Sequence, residues 1–81
     1  MIHHYQISES DLRKTIKNKL VLFGGNLHAK IYGRLNCTSG KRLKKQNRVF
    51  FASEKDAVDC GFRPCGHCMR TAYKKWRDEI G

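Results

Sequence analysis

The sequence predicts an α+β domain, a short β-sheet flanked by helices and stapled through its cysteines, on three observations. Helix-period apolar residues lie at both ends of the chain, two short strand-like runs lie between them, and four cysteines sit in only 81 residues. At the N-terminus, Ser8-Glu9-Ser10-Asp11 has the form of a capping box, in which a serine oxygen takes an orphan amide and an acid reaches back. Leu12, Ile16 and Leu20 then draw one apolar stripe, with Arg13, Lys14, Lys17 and Lys19 on the wet side, so the spacing predicts a helix over 8–23. Gly24-Gly25 is its expected stop. His28–Tyr32 and Arg48–Phe51 read as strands, separated by the turn-forming Gly33, Asn36, Ser39 and Gly40. Ser53-Glu54-Lys55-Asp56 repeats the capping box and opens a short helix that Gly61 ends. Met69, Ala72, Tyr73, Trp76 and Ile80 trace a last helix over 69–80. The whole chain, 1–81, is one domain with its core segment at 26–68. Its expected interior is Leu12, Ile16, Leu20, Ile31, Phe50, Phe51, Phe62 and Trp76.

Below roughly 70 to 80 residues a hydrophobic core seldom supplies more than about 3 to 5 kcal/mol, so a covalent or metal staple is expected. Hydrophobic residues make up 40% of the chain, which excludes a disordered basic tail. With no apolar run longer than Leu20 to Phe23, no membrane span is expected, and the first residues give no expectation of a signal peptide. A cytoplasmic, monomeric protein with reduced thiols is the expectation. Seventeen Lys and Arg against seven Asp and Glu give a net charge of +10, which favours a polyanionic partner.

Cys65-Gly66-His67-Cys68 has the C-x2-C spacing that bends two thiolates over one zinc ion. Cys37, in the loop between the strands, is the natural third donor to a single Zn2+. The fourth position is open among His28, Cys60, His67 and a water. Cys60 also reads as an ordinary buried thiol, and His67 as a side chain pointing out of the turn. An open zinc position could acidify a water, but His28, His67 and Asp59 form no recognisable hydrolase pattern, so a closed structural site is the preferred reading.

The stretch from Asn47 to Cys68, with Arg48-Val49-Phe50-Phe51 followed by Gly61-Phe62-Arg63-Pro64-Cys65-Gly66-His67-Cys68, resembles the zinc-binding domain of the Ada DNA-repair proteins. Lys30-Ile31-Tyr32-Gly33-Arg34-Leu35-Asn36-Cys37 is similar to that family's Ile-Tyr-Cys-Arg-Pro-x-Cys segment. The resemblance covers about residues 30–68 and implies one zinc on four cysteines, the first of which accepts a methyl group from a DNA methylphosphotriester. Cys37, Cys65 and Cys68 fall on the second, third and fourth of those cysteines, whereas the methyl-accepting first falls on Gly33. Glycine can neither ligate nor attack, so methyl transfer is not expected at that position. Shifting the register to place Cys37 on the first cysteine and Lys41 on the second breaks the Ile-Tyr match. The expectation is a stand-alone relative without the transcription-regulating and alkylguanine-transfer regions that often accompany the module.

Arg34, Lys41, Arg42, Lys44, Lys45, Arg48 and Arg63 crowd the segments around the cysteines and are the candidate nucleic-acid contacts, reaching backbone phosphates of DNA. Three functions follow as expectations: a zinc-dependent DNA-binding module without methyl transfer, a single-turnover methyl acceptor using Cys37, and a module whose basic face meets an acidic protein. Tyr73 and Trp76 read as core and not as a base-stacking platform.

Overall fold

In a computed structural model, which describes residues 1–37 and 43–80, the chain forms a five-stranded sheet and, among the described residues, three α-helices. The strands are β1 (Ile2–His3), β2 (Phe23–Asn26), β3 (Ile31–Arg34), β4 (Arg48–Phe51) and β5 (Arg63–Pro64), and the helices are α1 (Glu9–Lys17), α2 (Glu54–Asp59) and α3 (Arg70–Ile80). The sheet order is β1-β4-β2-β3-β5, antiparallel throughout except for the parallel β3–β5 pair. Lys41 and Arg42 lie outside the described residues. No described helix is long and apolar enough to cross a membrane.

Both serine caps form, since Ser8 and Ser53 accept the backbone N–H groups of Asp11 and Asp56 at 3.1 and 3.2 Å. The end of α1 departs from the expected helix over 8–23. Lys19 N–H bonds to the Ile16 carbonyl and Leu20 N–H to the Thr15 carbonyl, while Lys19 takes φ 58°. This is the Schellman arrangement, with lysine in the left-handed place usually given to glycine. The chain therefore leaves the helix before Leu20, and Ile16 and Leu20 are exposed instead of buried. The end of α2 shows the same motif in the expected form, with Gly61 at φ 85° and Phe62 N–H bonded to the Ala57 carbonyl.

Gly24 and Gly25 do not stop a helix; they lie inside β2, between β4 and β3. A Cβ on Gly25 would meet a Phe51 ring atom at 3.0 Å, the Ile31 carbonyl oxygen at 3.2 Å and a Phe62 ring atom at 3.2 Å. Packing against those rings thus selects the glycine despite its poor strand propensity. The first predicted strand is displaced as well: 28–30 belong to the hairpin loop, where Asn26 Oδ1 accepts the Ala29 N–H and Lys30 takes φ 58°.

Alternation along β4 divides the core. Val49 and Phe51 face one side with Tyr32, Ala57 and Phe62, where the Phe51 and Phe62 rings meet edge to face at 4.9 Å. Phe50 faces the other side and packs with Leu12 of α1 and Val21. Of the expected interior, Leu12, Phe50, Phe51 and Phe62 are buried, and Ile31 and Trp76 are half-buried.

Replacing Gly25 by Ala should destabilise the zinc-loaded protein by about 1–3 kcal/mol, because the rings and the Ile31 carbonyl leave no room for the methyl group. Chemical denaturation measures this, and an unchanged midpoint contradicts the packing account.

Candidate metal centre and the adjoining cavity

Three separate pieces of backbone bring the cysteines together. Cys37 lies just past β3 and its N–H bonds to the Arg34 carbonyl at 3.1 Å. Cys65 follows β5, and its N–H reaches the Tyr32 carbonyl at 2.7 Å, continuing the parallel pairing. Cys68 closes the turn just before α3, where the Met69 N–H bonds to the Cys65 carbonyl at 3.0 Å. The sulfur atoms of Cys37, Cys65 and Cys68 all lie within 4.8 Å of one another. Thiolates around one tetrahedral zinc, at Zn–S about 2.3 Å, stand roughly 3.8 Å apart, so this cluster matches the ion.

Backbone donors complete the set. The Arg34 N–H points to Cys68 Sγ at 3.3 Å and the His67 N–H to Cys65 Sγ at 3.4 Å, contacts that stabilise sulfur carrying negative charge. Burial pushes the metal-free Cys68 thiol up to about 11, and Cys37 and Cys65 push it the same way, against the pull of the Arg34 N–H.

The other ligand candidates are placed elsewhere. Among the described residues the cluster contains only Cys37, Cys65 and Cys68; His28, Cys60 and His67 are exposed and outside it. Cys60 is not the buried thiol expected from its neighbours, because it caps α2 on the solvent side. Gly33 does border the cluster: a Cβ there would lie 2.6 Å from Cys68 Sγ and 3.1 Å from the Cys65 Cβ. Sequence spacing alone did not place a fourth side-chain position there, although the family resemblance had aligned one.

A cavity of about 290 Å³ opens beside the thiols, lined by Gly24, Gly33, Cys37 and Cys65 together with Arg34, Arg48 and Arg63. Cross-strand register explains its shape. Gly33 pairs with Gly24, so two adjacent strands contribute no side chain at this point of the sheet. Arg48 and Arg63 stand at its margins in register with Asn26 and Ile31. Of the other predicted nucleic-acid contacts, Lys44 and Lys45 are exposed and do not line the cavity, and Lys45 pairs with Glu9 at 3.3 Å.

Comparison with known proteins agrees with this geometry. The sequence pattern of a family described as the metal binding domain of Ada matches residues 12–70. The chain belongs to the Ada metal-binding-domain family. Its cysteine cluster and family membership together assign it one zinc ion. An uncharacterized protein of Methanocaldococcus jannaschii is 40% identical over 47 residues, covering 52% of this chain and 23% of that protein. The chain thus spans about a quarter of the length of this curated relative. No solved structure gives a significant match.

Zinc should bind one per chain, and substituting Ser at Cys37, Cys65 or Cys68 should weaken it by about 100-fold or more, whereas Cys60→Ser leaves it unchanged. Competition with a chromophoric chelator measures this; loss of zinc in the Cys60 variant contradicts the ligand set. Because zinc must displace the Cys68 proton at neutral pH, apparent affinity should fall as the pH is lowered and rise as it climbs. Calorimetric titration in buffers of different ionisation enthalpy reads the released proton, and a pH-independent affinity contradicts it.

Proposed function

We propose that the domain is a zinc-stabilised DNA-binding module of the Ada metal-binding family, in which methyl acceptance at position 33 has been lost. The observation that carries this reading is the convergence of Arg34, Arg48 and Arg63 on one cavity beside the thiol cluster. None of the three makes a salt bridge to a described carboxylate, so their charge is available to an external anion. The net charge of +10 adds a long-range field that draws polyanions to the chain. Phosphate contacts of this kind release counterions, giving strongly salt-dependent and largely sequence-independent affinity.

A second reading is supported by Cys37 lining both the cluster and the cavity. In that reading a zinc-bound Cys37 thiolate attacks the methyl carbon of a methylphosphotriester; an S–C bond forms, the O–CH3 bond breaks and a phosphodiester anion leaves. Gly33 supports the first reading over this one, since the residue on which the family's acceptor falls has no side chain.

Anisotropy of a labelled duplex and single strand across a salt series tests the proposal. Binding that steepens as salt falls, is lost on zinc chelation, and weakens in Arg48→Gln and Arg63→Gln variants is expected. No binding at low salt, or nuclease-resistant capture of an acidic protein instead, contradicts it. Incubation with methylphosphotriester DNA should leave the mass of the Cys37 peptide unchanged, and a gain of one methyl group would select the second reading.

A further inference from the structure

Zinc on Cys37, Cys65 and Cys68 has one tetrahedral position left to fill. Gly33 lies against the thiols, so closely that a Cβ there would stand 2.6 Å from the Cys68 sulfur, and it has no side chain to offer the ion. His28, Cys60 and His67 are outside the cluster, so no described side chain closes the site. Gly33, Cys37 and Cys65 line the arginine-rich cavity, so two of the three thiols and the guanidinium groups border the same space.

Charge decides what can enter. Three thiolates give a divalent zinc centre one net negative charge, which by itself repels an anion. Arg34, Arg48 and Arg63 around the cavity reverse that sign and leave it about two charges positive. The Arg48 guanidinium lies 5.1 Å over the Phe50 ring, and that of Arg63 lies 5.3 and 5.4 Å from the Tyr73 and Trp76 rings. Stacking restricts both forks before a ligand arrives, which lowers the ordering cost of binding. Burial lowers the Arg48 pKa, so its charge gains from an incoming counter-anion. At about 290 Å³ the cavity is at the small end of ligand sites and suits a phosphate group with a short substituent.

We infer that the fourth zinc position opens into this cavity and takes an oxygen of a phosphate-class dianion, whose remaining oxygens are held by Arg48 and Arg63. Paired N–H donors of a guanidinium match adjacent phosphate oxygens, which is why arginine and not lysine is suited to this wall. This goes beyond the DNA reading and does not depend on it: a protein that binds no strand would still bind a small phosphate-class anion here.

Cobalt(II)-substituted protein, titrated with inorganic phosphate and separately with phenyl phosphate, tests the inference. The visible d–d bands should shift and saturate, and the phosphorus resonance should broaden with cobalt but not with zinc. Arg48→Met and Arg63→Met should each weaken phosphate about ten-fold while leaving the phosphate-free spectrum unchanged. Gly33→Cys should give a four-thiolate spectrum that no longer responds to phosphate; should that variant not fold, the two arginine variants decide. A wild-type spectrum insensitive to tens of millimolar of both inorganic phosphate and phenyl phosphate, or an affinity unchanged in both arginine variants, overturns the inference. A response to phenyl phosphate but not to the free ion assigns the site to phosphate esters, and the reverse assigns it to inorganic phosphate.

Discussion

Closure of Cys37 against the Cys65–Cys68 turn is the constraint on which the rest of the molecule depends. It fastens the end of β3 to β5, a strand of only two residues, and to the first turn of α3. No side chain of α3 is fully buried, so the helix is held by what lies at its N-terminal end. There Tyr73 packs on Gly66 of the zinc turn and Arg63 lies across Tyr73 and Trp76. Remove the metal and three mutually repelling or protonated sulfurs replace the strongest link between the sheet and the C-terminal helix.

The hydrophobic core cannot compensate for that loss, because the sheet splits it. One cluster has five buried side chains around Phe51 and the other has three around Phe50. Structural zinc contributes on the order of 10 kcal/mol in small finger domains, comparable with the whole net stability of a domain this size. Metal binding is therefore expected to be coupled to folding. The same knot also shapes the adjoining cavity, since the register that positions Gly33 beside the sulfurs also aligns Gly24 with it and frames the cavity between Arg48 and Arg63.

What was legible in the sequence follows from local chemistry. Both serine caps, the strand at Arg48–Phe51, the stop at Gly61 and the three zinc thiols are written in short motifs whose physics is self-contained. What was not legible depended on tertiary context. A lysine at the left-handed position ended α1 early, and the stripe through Ile16 and Leu20 consequently lost its core. Gly24-Gly25 resembled a helix stop, yet ring packing and neighbouring strands made it the middle of the sheet. The grouping of Arg34, Arg48 and Arg63, and the separation of Lys45 from them, came from strand register that a linear basic run does not encode.

Membership in the Ada metal-binding-domain family and the cysteine cluster together account for the ion. In the proposed site a zinc ion is held by three thiolates, with its fourth position given to an external oxygen. X-ray absorption at the zinc edge of the purified protein tests it most directly. Three sulfur neighbours and one oxygen are expected, without the multiple scattering of an imidazole ring. Four sulfurs, or a histidine signature, would show that the chain closes its own site and would contradict it.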